Sequence, residues 1–138
     1  MPDESLKGKI DLIPSTKLKT KISFIKEVDT GTAISYNQKY ITKKPTRVAT
    51  IPIGYADGVR RSTNGQVVIN GKLANIIGAV CMDGFMVDVT KFDDVKIGTE
   101  VYIWDNENIT IEDIAKECKT INYEILSRLA PRVVKEFV

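Results

Sequence analysis

Tyr55 stands between two glycines in the run Ile53-Gly54-Tyr55-Ala56-Asp57-Gly58, where an apolar stretch breaks off and Asp57-Gly58 turns the chain. Flanking glycines permit sharp bends that would hold the phenol on a protruding loop, free to donate or accept a proton. The same residues also fit an ordinary turn with a half-exposed tyrosine, because such turns are abundant. A second run, Gly78-Ala79-Val80-Cys81-Met82-Asp83-Gly84, sets a thiol, a thioether and a carboxylate between apolar stretches, ahead of a glycine that lets the backbone approach a ligand. The chain contains no histidine, so the usual general base, metal ligand and pH switch are all missing. Without an imidazole to activate it, Cys81 reads as a structural thiol rather than a nucleophile. Asp83 and Asp88, on a turn and the strand after it, point to opposite faces rather than forming a carboxylate pair. A third run, Thr120-Ile121-Asn122-Tyr123-Glu124, falls at a helix start, where free backbone N–H groups favour an anion such as phosphate. The plainer alternative is that Asn122 caps the helix and Tyr123 packs on the sheet.

The elements that must position these runs are mostly strands. Thr20–Val28 alternates through Ile22 and Phe24, and Arg47–Ile53 carries Val48, Ile51 and Ile53. Gln66–Ile69 meets Lys72–Ile77 across Asn70-Gly71, a pair that tolerates the two left-handed residues of a type I′ hairpin. Phe85–Val89 and Thr99–Trp104 add two more strands. Strands this regular, with no helices between them, predict a mainly β fold: an antiparallel barrel, closed or partly open, or a sandwich. Helical patterning is confined to the C-terminal third. Thr110 and Asp113 form a capping box with the shorter acid, and Ile111, Ile114, Ala115 and Cys118 follow on one face. Asn122 is placed to cap a second short helix through Ile125, Leu126 and Leu129, with Pro131 marking its end.

At 138 residues the chain has the size of one domain that folds without staples. A composition of 43% hydrophobic and 28% charged residues is that of a soluble globular protein, with no apolar run of about 18 residues to cross a bilayer. Twenty Lys+Arg against eighteen Asp+Glu leave a net charge of +2, well short of a dedicated nucleic-acid binder. The basic stretch from Lys7 to Lys26 reads as a solvated segment, with nucleic-acid binding as a weaker alternative. Cys81 and Cys118 lie far apart with no histidine partners, which excludes a zinc site and a disulfide framework. The N-terminus lacks the charged and apolar regions of a signal peptide, so a cytoplasmic setting is the default.

Taken in this order, the runs resemble the C-terminal domain of bacterial alanine racemase, a pyridoxal 5′-phosphate (PLP) enzyme of fold type III. The resemblance extends over nearly the whole chain: Leu18-Lys19-Thr20-Lys21-Ile22, Ser35-Tyr36, Lys44-Pro45-Thr46-Arg47, Pro52 to Gly58, Val80-Cys81-Met82-Asp83, Gly98-Thr99-Glu100-Val101, and Thr120 to Leu126 on through Pro131-Arg132-Val133. It implies interconversion of L- and D-alanine for peptidoglycan synthesis. By it, Tyr55 is the catalytic tyrosine acting on the L-alanine side, in the active site of the neighbouring subunit of a homodimer. Met82 offers its backbone N–H to the substrate carboxylate across the same interface, and the Tyr123 hydroxyl meets the PLP phosphate. Gly54, Asp57 and Asp83 support the two motifs.

An ordinary phenol, with a pKa of about 10, is ionised to about one part in a thousand at neutral pH, so a tyrosine base needs help from a nearby cation. The family takes that help, its Schiff-base lysine and most of its phosphate cradle from an N-terminal α/β barrel. Such a barrel needs about 250 residues and an alternating strand–helix pattern, neither of which this chain has. Residues 1–17 are therefore expected to be an arm from the interdomain connection, and 18–138 the C-terminal β-domain, with the PLP-binding barrel absent. Its partners would be that barrel, in its own and the second subunit, and the chain alone would neither racemise alanine nor hold PLP covalently. Ala79 and Gly84 replace an arginine and a glutamine common in the family, changes expected to open space and to leave a related serine racemase as an alternative. A stand-alone β-barrel binding or dimerisation module is the non-enzymatic alternative.

Overall fold

A computed structural model describes residues 13–63 and 65–137. The first part of the expected arm, with Lys7 and Lys9, lies outside the described residues. The sheet strands are β1 (Leu18–Lys21), β2 (Phe24–Val28), β5 (Thr46–Ile51), β6 (Gln66–Ile69), β7 (Lys72–Ile77), β8 (Phe85–Asp88) and β9 (Glu100–Trp104); a small hairpin adds β3 (Ala33–Ile34) and β4 (Tyr40–Ile41). Two helices follow, α1 (Ile111–Glu117) and α2 (Asn122–Ser127). The seven-stranded sheet runs β1-β9-β6-β7-β8-β5-β2, and all its pairings are antiparallel.

The two ends of that order, β1 and β2, are consecutive in the chain and separated only by Ile22-Ser23. On one side of this step the Ile22 N–H donates to the Thr99 carbonyl at 2.9 Å; on the other the Ser23 N–H donates to the Thr50 carbonyl at 3.0 Å. The sheet is thus rolled into a partly open barrel whose seam is crossed by the chain itself. The crossing also corrects the expected alternation through Ile22 and Phe24. Ile22 is buried, but the bend after it turns Phe24 outward, and Phe24 is 53% exposed.

Ala49, Ile51, Val67, Ile69, Phe85 and Val87 fill the inside of the roll, and Ile111 and Ile114 of α1, with Cys118 at its C-terminal cap, cover it. Each fully buried aliphatic or aromatic side chain contributes about 1.5–3 kcal/mol. Val48 and Ile77 face outward yet are buried, because the β3–β4 hairpin lays Ile34 over them. Two-residue strands are too short to show a period, so the sequence carries no local sign of this hairpin.

The Asn70-Gly71 turn takes left-handed φ values of 49° and 71°, as a type I′ hairpin requires. Thr110 caps α1 as expected: the Asp113 N–H donates to its hydroxyl oxygen at 3.2 Å, and the Thr110 N–H donates to the Asp113 carboxylate at 2.9 Å. The cap expected for α2 is corrected. Ile121 holds that position without a side-chain bond, while Asn122 is the first helical residue and donates its amide to Glu112 at 3.1 Å. The helix also stops at Ser127, short of Leu129.

Candidate active site

After β5 the chain tightens into a 3-10 turn, Tyr55–Asp57. Asp57 closes the turn by accepting the Gly54 N–H at 2.8 Å, and Gly58 leaves it at φ 108°. The turn sits directly on the segment before β8. The Tyr55 N–H donates to the Cys81 carbonyl and the Ala56 N–H to the Met82 carbonyl, both at 3.0 Å. Contact this close is possible only because residue 54 has no side chain: a Cβ there would lie 2.3 Å from the Met82 oxygen and 2.4 Å from the Cys81 oxygen. Gly54, Tyr55, Asp57, Met82 and Asp83, picked from two separate motifs, are therefore neighbours.

Arg132, beyond α2, joins the two motifs a second time. Its Nε donates to Asp57 at 2.5 Å and its Nη2 to Asp83 at 2.8 Å. These bonds, Asp57's first, move the guanidinium further above its ordinary value. The Ala130 N–H donates to the Asp57 carbonyl at 3.1 Å and anchors the same C-terminal segment. The sequence gives no local sign of this bridge, because the partners are 75 and 49 residues away.

Tyr55 is 39% exposed, and no described residue hydrogen-bonds its hydroxyl. Its ring lies 6.0 Å from the Arg61 guanidinium carbon, a cation–π contact worth about 0.5–1 kcal/mol at an exposed site. It lines an open cleft of about 480 Å³ with Val59, Arg60, Arg61, Ser62 and Arg128. Arg60 and Arg128 bind Glu124 at 2.6 and 3.5 Å. The Thr120 hydroxyl, which donates to that carboxylate, and then the two arginines hold Glu124 below the usual carboxylate range, against the effect of desolvation. Tyr123, next to Glu124, is 58% exposed and is not among the residues that line the cleft.

Cys81 is half-buried, with its sulfur 3.5 Å from the Ser35 hydroxyl. Asp88 accepts from Thr90, well apart in role from Asp83. Ala79 is buried, and its carbonyl accepts the Ser35 hydroxyl at 3.0 Å. Gly84 requires a correction: a Cβ there would meet the Ile51 oxygen at 2.9 Å, so the glycine seats its turn against β5 and opens no space.

Residues 15–137 match the family described as alanine racemase, C-terminal domain. The chain belongs to this family. Alanine racemase 2 of Caldanaerobacter subterraneus subsp. tengcongensis is 45% identical over 96% of the chain and 36% of its own length. The alanine racemase of Halothermothrix orenii is 44% identical over 99% of the chain and 37% of its own. Among solved structures, the alanine racemase of Clostridium difficile 630 in complex with cycloserine superposes with a TM-score of 0.91 at 43% identity, over 96% of this chain and 36% of that one. The enzyme of Bartonella henselae with covalently bound pyridoxal phosphate gives 0.84 at 30% identity, over 88% and 34%. The chain thus spans a little over a third of the length of the alanine racemases it matches, and the fold it shares with them is their β-rich C-terminal domain. No helix among the described residues is long and apolar enough to cross a membrane.

The cleft tests how far these residues fit PLP. Its lining offers a phenol and three guanidinium groups but no lysine, so it lacks the amine that holds PLP covalently. The residues suit one wall of a cofactor site and do not complete it.

Proposed function

We propose that this domain supplies the tyrosine side of an alanine racemase active site, interconverting L- and D-alanine for peptidoglycan synthesis. The observation that carries the reading is the Tyr55 turn, seated by backbone hydrogen bonds on the Cys81-Met82 segment, with a half-exposed Tyr55 side chain that lines the cleft. Tyr55 takes the α-proton from L-alanine or returns one to form it. The Met82 N–H binds the substrate carboxylate, so that the proton and the carboxylate of one carbon are addressed by two adjoining turns. Tyr123 offers its hydroxyl to the cofactor phosphate. PLP, bound by a lysine outside this chain, supplies the electron sink that makes the α-proton removable.

On this reading residues 1–17 are an arm from an interdomain connection and 18–138 are the β-domain. The missing wall is an α/β barrel, with Tyr55 and Met82 facing the barrel of the second subunit of a cytoplasmic homodimer. The alanine racemases among the relatives support alanine over serine as substrate. The test is complementation with a separately made α/β barrel. Activity is expected with this chain, and Tyr55→Phe should reduce L-to-D turnover by about 10²–10⁴-fold while PLP stays on the barrel. Undiminished turnover by Tyr55→Phe, or sustained racemisation by this chain with PLP alone, would overturn the reading.

A further inference from the structure

The Tyr55 and Met82 turns come from different parts of the chain, and one guanidinium reaches both. Arg132 spends its Nε on Asp57 and its Nη2 on Asp83, while the second oxygen of Asp57 holds the Gly54 N–H that opens the Tyr55 turn. A guanidinium is a rigid planar fork, so donating to two carboxylates fixes the separation of the loops that carry them. Arg132 is 54% exposed and Asp83 69%, and an ion pair so open to water contributes little to global stability, whereas Asp57, 11% exposed, is held within the Tyr55 turn itself. What this bridge can do is local.

We propose that Arg132 is a positioning residue that sets the spacing between the Tyr55 hydroxyl and the Met82 N–H. The inference rests on the function proposed above. The α-proton and the carboxylate of alanine hang from the same carbon, so the groups serving them must keep one distance, and a displacement of about 1 Å costs up to about 100-fold in rate. The backbone bonds from Tyr55 and Ala56 to Cys81 and Met82 set the contact, and Arg132 ties Asp57 to Asp83 across it.

Amide hydrogen exchange on this chain reads the lock directly. Arg132→Gln should speed exchange of the Tyr55 and Ala56 amides about 10-fold or more, and Asp83→Asn, which removes one arm and leaves Asp57 engaged, should do so by less, with the Val67 amide unchanged in both. Unaltered exchange at Tyr55 and Ala56 overturns the proposal. In the enzyme assembled with the barrel, Arg132→Gln should lower kcat/KM by about 10- to 100-fold. The primary isotope effect should grow with α-deuterated L-alanine, whose deuteron Tyr55 removes, but not with α-deuterated D-alanine. Arg132→Lys keeps the charge but has one ammonium for two carboxylates, and should behave like Arg132→Gln. Equal isotope effects on both enantiomers, or full recovery by lysine, would make Arg132 merely structural and sink the idea. Tyr55→Phe, run alongside, separates the two claims: if it leaves turnover intact, the function reading itself fails.

Discussion

Replacing Gly54 by alanine tests the contact on which the site is built. The added methyl would sit 2.3 Å from the Met82 oxygen, 2.4 Å from the Cys81 oxygen and 2.6 Å from the Met82 carbonyl carbon, all backbone atoms with no flexible end to swing away. Relief requires the two turns to part by roughly 1 Å, since real contacts of this kind rarely fall below about 3 Å. Parting would break the bonds from Tyr55 to Cys81 and from Ala56 to Met82, each now 3.0 Å long. Two backbone hydrogen bonds account for about 2 kcal/mol, and the remaining steric strain for another 1–3 kcal/mol, giving about 3–5 kcal/mol in all. Against a typical domain stability of about 5–15 kcal/mol, that is a large share. Urea unfolding followed by tryptophan fluorescence should show the midpoint fall at constant m. Gly71→Ala is the control: nothing lies within 4 Å of its added methyl, and only the left-handed φ of 71° is penalised, at about 1 kcal/mol. If Gly54→Ala costs no more than Gly71→Ala, the steric reasoning is wrong.

Asp105 gives a pH signature. Its burial pushes the carboxyl up, but the backbone N–H groups of Ile109, Asn108 and Glu107 and the Asn108 side chain outweigh that and hold it at about 2, from an ordinary 3.8. Because the folded value is the lower one, the stabilisation is complete only above about pH 5 and is lost progressively as pH falls through 3.8 to about 2; it amounts to about 1–2 kcal/mol, and Asp105→Asn should flatten that limb of the stability–pH curve. Thr110→Ala removes the acceptor for the Asp113 N–H and should cost about 1 kcal/mol in thermal or denaturant unfolding.

What could be read from the sequence was what its neighbours in sequence determine. Asn70-Gly71 and the Thr110–Asp113 box carry their geometry within four residues, and both form as expected. Asn122 looked like a cap by the same local logic, but Glu112 of α1 lies within reach and takes its amide, a competition visible only once the helices are packed. Phe24 fitted an alternating strand until the crossing at Ile22-Ser23 turned it outward. Tyr55, Asp57, Met82 and Asp83 stood out as residue types in unusual runs. That they touch, and that Arg132 holds them, depends on contacts between distant segments, which no local pattern encodes.

The crossing at Ile22-Ser23 has one further effect. A strand at the end of a sheet exposes backbone donors and acceptors to which another molecule can add, and proteins guard such edges with charge, lysine above all. Here the two terminal strands are halves of one run, and they carry Lys19 and Lys21 on the first half and Lys26 and Glu27 on the second. The part of the basic stretch that falls on them lines both terminal strands with charge, which disfavours edge-to-edge pairing with another molecule.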